Sequence, residues 1–486
     1  MQKSSLVKNV IFKIILNVFN IIIPLLIGPY VYRTLGADSI GKVQFSETIF
    51  NYFFIFAVFG VYQYGLREMS RIKGNQQKVN QLFTSLLTIS IVTSVSSLLV
   101  YFVVIYLGYG DNAIFPILLL YSINLIGNIF YVEWVNEANE KYDFITIKTV
   151  IIKGLYVVLL FALVKTPDNY MEYASLLILT TVLNNIVSFV YIKRKIKLDF
   201  SHITLKKHIR PLFLVVIFSN ANILYNQLDR FMLGEFLGEA KVSFYVMAQQ
   251  MMGIVNTLML SIIQVTIPRL SYLSGSEDEE SYLYLLNNIS RIYFAFLFPA
   301  SIGLFIISDF GVLLYGGAAF VDASPVLKVF SIYMIFLGIE SILSNQIIYV
   351  KQKENILVRL VFVAGFINVV LNSLLVLFNV FSPTTAIFTT TIANVLLITF
   401  EYIYIRKQLK VDYKLFEISK LKYLFYALIF LPISYVIDLF TSGMLLTFIL
   451  DISINIVVYF GILYFTKDFV LALFLDKIKA KLRRKA

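Results

Sequence analysis

Apolar residues form long runs along almost the whole chain, and polar residues collect in short gaps between them. Each run provides roughly the 20 mostly apolar residues that an α-helix needs to cross a bilayer. The runs are apolar on most faces, whereas the strands of a membrane barrel alternate apolar and polar residues. We therefore predict an all-α, polytopic membrane protein with fourteen spans. The spans are centred near residues 10–32, 43–66, 81–107, 113–134, 144–165, 171–192, 211–234, 242–268, 290–310, 326–350, 358–379, 385–405, 422–440 and 445–466.

Lys and Arg are concentrated in alternate gaps, and this asymmetry predicts the orientation of the chain. The most basic gaps follow even-numbered spans, at 193–210 and 406–422, and the tail 477–485 is also basic. Basic loops stay in the cytoplasm during insertion, so both termini are expected to be cytoplasmic. The net charge of +12 then reflects topology and attraction to anionic headgroups. Because the basic residues are spread over many loops, nucleic-acid binding is disfavoured.

The chain has few of the side chains that bind transition metals. Cysteine is absent, and the two histidines, His202 and His208, lie in one basic loop where they are expected to be solvated. A zinc or haem enzyme is therefore disfavoured, and no cofactor is expected.

Polar residues recur at helical spacing inside the first predicted span. Lys13, Asn17 and Asn20 share one face of this helix, and Pro24 and Pro29 are expected to bend it. A charge at mid-bilayer costs about 2.5–3.5 kcal/mol on insertion scales, so it normally faces a cavity or a partner. Two interpretations remain open, a water-filled cavity and helix–helix contact through amide side chains.

The seventh span carries the densest polar stripe, in which Ser219, Asn222, Asn226 and Asp229 repeat at i, i+3, i+7 and i+10 beside Arg230. Cations are frequent in the N-terminal half, which indicates a positively charged cavity for an anionic ligand such as a phosphate. The candidates for the cavity lining are Lys13, Asn17, Asn20, Arg33, Glu47, Asn51, Asn124, Asn128, Lys148, Lys153, Asn222, Asn226 and Arg230. Five positions apart on a helix is about 140°, so Lys148 and Lys153 do not share a face.

A short internal repeat indicates two related halves. Leu35-Gly36 and Leu233-Gly234 are each followed by a spacer, a glycine and the pattern K-V-x-F. The copies are about six spans apart, and an even number of spans per repeat makes the halves parallel. The glycines are expected to permit tight external turns. The domain assignment is an N-terminal six-helix bundle at 1–195, a cytoplasmic linker at 196–210, a second six-helix bundle at 211–405, and two further spans with a basic tail at 406–486.

Four motifs together resemble those of a known transporter family. They are P-Y-V-Y-R-T-L-G-A-D-S-I-G at 29–41, G-L-R-E at 65–68, Q-L-D-R-F-M-L-G at 227–234 and I-P-R-L at 267–270. The chain is similar over its whole length to the polysaccharide transporter family, the Wzx-type flippases of the multidrug/oligosaccharidyl-lipid/polysaccharide exporter superfamily.

The resemblance implies that the chain flips undecaprenyl-pyrophosphate-linked oligosaccharide repeat units across the bacterial cytoplasmic membrane by alternating access, for capsule or O-antigen-type polysaccharide. Basic residues of the cavity would then hold the pyrophosphate, and amide and aromatic side chains would hold the sugars. The family also implies coupling to an H⁺ or Na⁺ gradient, for which Asp229, Glu47 and Glu340 are the candidates. The implied partners are the lipid-linked oligosaccharide, the bilayer, and a polymerase and glycosyltransferases of the same pathway.

Three other functions are alternatives to this one. A multidrug/cation antiporter of the same superfamily would favour an acidic cavity, whereas the N-terminal half is basic. A peptidoglycan lipid-precursor flippase would share the mechanism but carry a different glycan. A membrane glycan polymerase or ligase would need a large external loop with acid/base residues, whereas the longest external loop, 311–325, holds only Asp322. We therefore expect a transporter and not an enzyme.

Overall fold

The structure, a computed structural model, is helical throughout the part of the chain that it describes. It describes residues 3–72, 74–201, 203–276, 278–473 and 475–476, with the side chains at 3–7, 10, 214 and 217–226 left outside the description. No strand occurs in these ranges, so the predicted all-α class is confirmed. The chain divides into two compact units, Met1–Ser243 and Phe244–Ala486. The bundle boundaries assigned from the sequence stay a prediction.

The first unit is built from helices joined by short turns, and α9 continues from it into the second unit. Two 3₁₀ turns, Asn128–Phe130 and Pro167–Asn169, connect helices of this unit. The helices are α1 Lys3–Val58, α2 Val61–Ile72, α3 Gln76–Tyr109, α4 Phe115–Gly127, α5 Glu133–Ala138, α6 Tyr142–Leu163, α7 Tyr170–Lys193, α8 Leu205–Leu237 and α9 Glu239–Gly275.

The second unit continues the pattern, and one of its helices changes its hydrogen-bonding register. The segment Ile342–Tyr349 is a π-helix that prolongs α12. The helices of the unit after α9 are α10 Glu279–Ile306, α11 Ser308–Gly316, α12 Ala323–Ser341, α13 Glu354–Leu377, α14 Pro383–Lys407, α15 Ile418–Leu428, α16 Phe430–Phe440 and α17 Met444–Phe465.

Polar side chains begin several of these helices by satisfying the first backbone N–H groups. Asn75 accepts from the backbone N–H of Lys78 at the start of α3. Ser382 and Thr385 form a reciprocal capping box at the start of α14. Such caps stabilise a helix by about 0.5–2 kcal/mol, and they fix the residue at which the helix begins.

Two glycines in left-handed backbone conformations separate the helices of the sequence repeat. Gly36 breaks α1 into a first arm, 3–35, and a second arm, 37–58, with φ 73° and ψ 176°. Gly238 separates α8 from α9 with φ 89° and ψ 169°. Only glycine adopts these angles readily. The breaks at Gly36 and Gly238 confirm that glycines of the repeat interrupt the helices. The repeat aligned Gly36 with Gly234, and this alignment is wrong by one helical turn. The glycine with the same backbone conformation as Gly36 is Gly238.

Twelve helical segments of the described chain are long and apolar enough to cross a membrane, so the chain is a multi-pass membrane protein. The first of them, Ile11–Ile72, has 62 residues and includes the break at Gly36, whereas α8 is not among the twelve. The count of fourteen spans therefore stays a prediction. The segment 311–325, expected to be an external loop, instead contains the end of α11 and a 3₁₀ turn at Ala318–Phe320.

A cluster of buried hydrophobic residues anchors α2 in the first unit. The buried residues Val61, Tyr64, Gly65 and Met69 lie on one face of α2 at helical spacing. A Cβ atom at Gly65 would lie 2.8 Å from the ring of Trp134, which belongs to α5. The glycine of the G-L-R-E motif therefore lets these two short helices approach closely.

Candidate functional site

A cavity of about 490 Å³, lined by both apolar and polar side chains, lies within the first unit. The second arm of α1, the start of α2, and helices α6 and α7 contribute to its lining. The described lining carries amide and hydroxyl groups, two tyrosines and a single charged side chain, Lys153. The volume and the mixture of aromatic, amide and cationic groups suit a small polar ligand.

Lys153 connects the cavity to the first arm of α1. Its Nζ donates a hydrogen bond of 2.7 Å to Oδ1 of Asn20. Among the described residues Lys153 makes no ion pair, and the amide oxygen of Asn20 is its hydrogen-bond partner there. An ammonium group in this state is available to an anionic ligand.

The sequence made both Lys148 and Lys153 candidates for the cavity lining, and only Lys153 is found there. Lys148 Nζ lies 2.8 Å from Glu133 Oε2 and 2.5 Å from Ser188 Oγ, and its side chain is 3% exposed. The expectation that the two lysines occupy different faces of α6 agrees with this geometry. Lys148 does not line the cavity, because its charge is already paired in the core with Glu133, a residue that sequence patterns did not single out.

Two tyrosines form an aromatic wall of the cavity. The rings of Tyr62 and Tyr131 stack with centroids 5.9 Å apart and an interplanar angle of 15°. Tyr62 was missed as a candidate because it follows the break at Gly60, where helical spacing from the second span is lost. Aromatic rings have apolar faces and polar hydroxyl tips, which suits contact with a sugar ring.

Amide groups complete the lining, and one of them is unsatisfied. Asn51, Gln63, Asn184 and Asn185 all reach the cavity. Oδ1 of Asn184 is buried without a hydrogen-bond partner. A buried acceptor without a partner costs free energy, which a ligand hydroxyl in the cavity would recover. Of these four, the sequence stripes identified Asn51 alone.

Other predicted lining residues make contacts between helices. Asn128 Nδ2 donates to the backbone oxygen of Ala57 at 3.1 Å and to Ser94 Oγ at 3.0 Å. Asn124 is also buried and is absent from the described lining. For Asn128, the structure therefore favours the helix–helix interpretation of amide stripes.

The remaining candidates on α1 lie outside the cavity lining. Lys13 Nζ lies 5.4 Å from the centroid of the Tyr142 ring, a cation–π contact between the first arm and α6. Asn17 and Arg33 are exposed on the same arm. The first arm thus contacts α6 through both Lys13 and Asn20.

The charged residues of the seventh-span stripe connect α8 to the second arm of α1. Glu47 interacts electrostatically with Arg230, and Tyr52 with Asp229. Asp229 is 2% exposed. The predicted site residues Asn222 and Asn226 carry side chains outside the described part of the structure. The third predicted coupling residue, Glu340, lies in the second unit, where Ser344 connects it to Glu401.

A second cavity, of about 660 Å³, lies in the second unit and differs in chemistry. Its described lining is mostly apolar, with rings from Phe430, Tyr459 and Phe460, and Asp451 is its charged residue. A phosphorylated sugar would lose its hydration there without a cation to replace it. The cavity of the first unit, which contains Lys153, is therefore better suited to an anionic ligand.

The expectation that the histidines are solvated is wrong for His208. His208 is 6% exposed, and its Nδ1 lies 2.7 Å from the Tyr64 hydroxyl oxygen. Burial lowers the pKa of His208, the neighbouring Lys207 lowers it further, and Glu68 partly opposes them. A neutral His208 thus connects the first turn of α8 to α2. His202 lies outside the described residues.

The helical architecture defines the class, a multi-pass membrane protein. Residues 6–274, more than half of the chain, match a family described as "Polysaccharide biosynthesis protein". The chain belongs to this family.

Similar proteins include two named "Putative O-antigen transporter". The protein from Escherichia coli (strain K12) is 23% identical over 275 residues, which cover 56% of this chain and 66% of that protein, just under two thirds. The protein from Shigella dysenteriae is 23% identical over 368 residues, which cover 74% of this chain and 90% of that protein.

Solved transporter structures share the fold. The lipid II flippase MurJ in an inward closed conformation matches with a TM-score of 0.70 and 18% identity, covering 95% of this chain and 100% of that one. An inward-facing multidrug resistance MATE family transporter of the MOP superfamily matches with a TM-score of 0.61 and 14% identity, covering 79% and 93%. At these identities the likeness shows the fold alone.

Proposed function

We propose that the chain is a flippase that moves undecaprenyl-pyrophosphate-linked oligosaccharide repeat units across the bacterial cytoplasmic membrane by alternating access, for capsule or O-antigen-type polysaccharide. One observation carries the proposal, the cavity that combines the available cation of Lys153 with the stacked rings of Tyr62 and Tyr131. Membership of the polysaccharide biosynthesis family and the names of the two similar proteins support the substrate class.

Each part of the cavity has a role that follows from its chemistry. Lys153 attracts a phosphate through its ammonium group, at the expense of the weaker bond to Asn20. The tyrosine pair offers an apolar face to a sugar ring. Asn184, with its unsatisfied acceptor, binds a sugar hydroxyl.

A polar cavity is needed because the headgroup cannot cross hydrocarbon unaided. A glycan with two phosphates would leave many hydrogen-bonding groups and charges without partners in the bilayer core. The polyprenyl chain needs no such shelter and stays in the lipid. Binding of phosphate to Lys153 would break its bond to Asn20 and release the first arm of α1, which contains Pro24 and Pro29. Prolines in a transmembrane helix are sites of bending.

The orientation and coupling belong to the same proposal. Both termini face the cytoplasm, and a pathway polymerase and glycosyltransferases act on either side of the flipping step. Asp229, Glu47 and Glu340 are the proposed sites at which an H⁺ or Na⁺ gradient acts, because each places a carboxylate at membrane depth.

The experiment replaces Lys153 in a strain that lacks the chromosomal copy of the gene. Lys153→Ala is expected to reduce surface polysaccharide and to cause lipid-linked repeat units to accumulate in the inner leaflet. Lys153→Arg keeps the cation and should restore part of the export. Lys165→Ala removes an exposed lysine beyond the end of α6 and serves as the matched control.

The measurements are polysaccharide on the cell surface and the lipid-linked intermediates, at equal amounts of protein in the membrane. Normal export with Lys153→Ala would contradict the assignment of the cavity. Accumulation of peptidoglycan precursor, in place of the polysaccharide intermediate, would contradict the proposed substrate.

A further inference from the structure

A half-buried carboxyl group, that of Glu340, and a buried one, that of Glu401, share one serine hydroxyl in the second unit. Ser344 Oγ lies 2.7 Å from Glu340 Oε1 and 2.6 Å from Glu401 Oε1. Glu340 is on α12, Ser344 follows on the π-helix, and Glu401 is on α14. Glu401 is 0% exposed. Sequence patterns identified Glu340 but missed Glu401, because the serine that contacts it lies on another helix.

The two contacts of Ser344 require one more hydrogen atom than the three side chains carry when both carboxyl groups are ionised. A serine hydroxyl carries one hydrogen, so it donates to one carboxyl oxygen at a time. At the second oxygen, Ser344 can only accept, and an ionised carboxylate has no hydrogen to donate. Both short contacts are therefore satisfied together only when Glu340 or Glu401 is protonated.

Further side chains around the cluster lack partners. Oε2 of Glu401 is buried without a hydrogen-bond partner. On α10, the Tyr293 hydroxyl is also buried without a partner, and it interacts electrostatically with Glu340. In the described part of the chain, no Lys or Arg pairs with either carboxyl, and α11 and α13 contribute no hydrogen bond to them. Within that part of the chain, no cation neutralises the two negative charges that the ionised pair would carry.

We propose that Glu340, Ser344 and Glu401 form a proton-binding site, in which one hydrogen is held between the two carboxyl groups through the Ser344 hydroxyl. The proton comes from water and forms an O–H bond on one carboxyl, which leaves the pair with a single negative charge. When the proton returns to water, the pair carries two negative charges. Their repulsion in a medium of low dielectric constant weakens the contact between α12 and α14.

The use of this proton rests on the proposed function. Loading and unloading of the site would bias the packing of α12 against α14, and so give a proton gradient a place to act on flipping. The proton binding itself does not depend on flipping, and it is measured separately.

Infrared spectroscopy of the purified protein in lipid tests the binding. At neutral pH the wild type is expected to show the C=O stretch of a protonated carboxylic acid, and the band should be lost in Glu401→Gln and in Glu340→Gln. The amide N–H of the new glutamine donates to Ser344, so the remaining glutamate no longer needs the proton. Ser344→Ala should shift the band, and the exposed Glu354→Gln should leave it unchanged.

Three outcomes would overturn the proposal: absence of the band in the wild type, its persistence in both glutamine variants, or its loss when sodium is added at constant pH. The wild-type measurement decides even if a variant does not fold. The rate of flipping is then measured in vesicles with and without an imposed pH gradient, for the wild type and for Glu401→Gln. The gradient should increase the rate of the wild type but not that of Glu401→Gln. If wild-type vesicles flip no lipid-linked oligosaccharide, the proposed function fails while the infrared result on the proton site stands.

Discussion

Gly41, on the second arm of α1, packs directly against the backbone carbonyl of Glu239 at the start of α9. A Cβ atom at Gly41 would lie 2.2 Å from that oxygen. The approach is reciprocal, because a Cβ at Gly234 would lie 2.1 Å from the ring of Phe45. Gly41 and Gly234, which the sequence repeat aligned with the turn glycines Gly238 and Gly36, are therefore not turn residues. Each of them lets two helices pack closely.

We expect Gly41→Ala to destabilise the protein by about 1–3 kcal/mol, the usual cost of overpacking, because the contact atom is rigid backbone. Thermal unfolding of the purified protein measures the effect. Gly461→Ala, on α17, adds a methyl group where nothing lies within 4 Å, and it should be neutral or slightly stabilising. Equal unfolding temperatures for the two variants would contradict the close approach.

Because Lys148 is paired with Glu133, we expect its replacement to reduce the stability of the protein. Replacement of Lys153 is expected to reduce export instead. Lys148→Ala leaves Glu133 buried without its cation, which costs about 3–5 kcal/mol. We expect the variant to be depleted from the membrane, whereas Lys153→Ala should be present at the normal level. The double variant Lys148→Met with Glu133→Leu should recover the protein, because it removes both charges. Full abundance of Lys148→Ala alone would show that the pair contributes little.

His208 predicts a loss of stability in mild acid. Because burial and Lys207 lower its pKa in the folded state, the unfolded state binds the proton more readily. The contribution of His208 is therefore present above its ordinary pKa of about 6.5 and is lost as the pH falls through the lower, folded value.

Unfolding temperatures measured between about pH 7.5 and 5 should fall less for His208→Gln than for the wild type. Lys207→Ala removes a cause of the lowered pKa and should reduce the dependence partly. Identical pH profiles for wild type and His208→Gln would rule out this histidine as the source.

The orientation is testable because the natural chain contains no cysteine. A single cysteine at Lys197 should react with an impermeant thiol reagent only after the cytoplasmic side is opened. A cysteine at Asp111, exposed in the turn after α3, should react in intact cells. The reverse pattern would overturn the assignment of basic loops to the cytoplasm.

The helical periodicity identified some of the site and missed the rest for a geometric reason. The pattern of polar and charged residues inside the spans gave Asn20, Asn51 and Lys153, which the structure brings to or beside one cavity. It also included Lys148 and Asn128, whose partners lie on other helices. Periodicity tells which residues share the face of one helix, but it carries no information about the neighbour that the face meets.

The amino-acid sequence by itself determined the helical class, the membrane environment, the turn at Gly36 and the polar stripes. These follow from properties of single residues and of near neighbours in the chain: hydrophobicity, backbone freedom and helical spacing. Only the tertiary structure decided which polar groups are paired and which are available, as with Glu133 for Lys148 and Glu401 for Ser344. Those contacts join different helices, and in the bilayer the apolar faces of helices are too alike for their sequences to specify the partner.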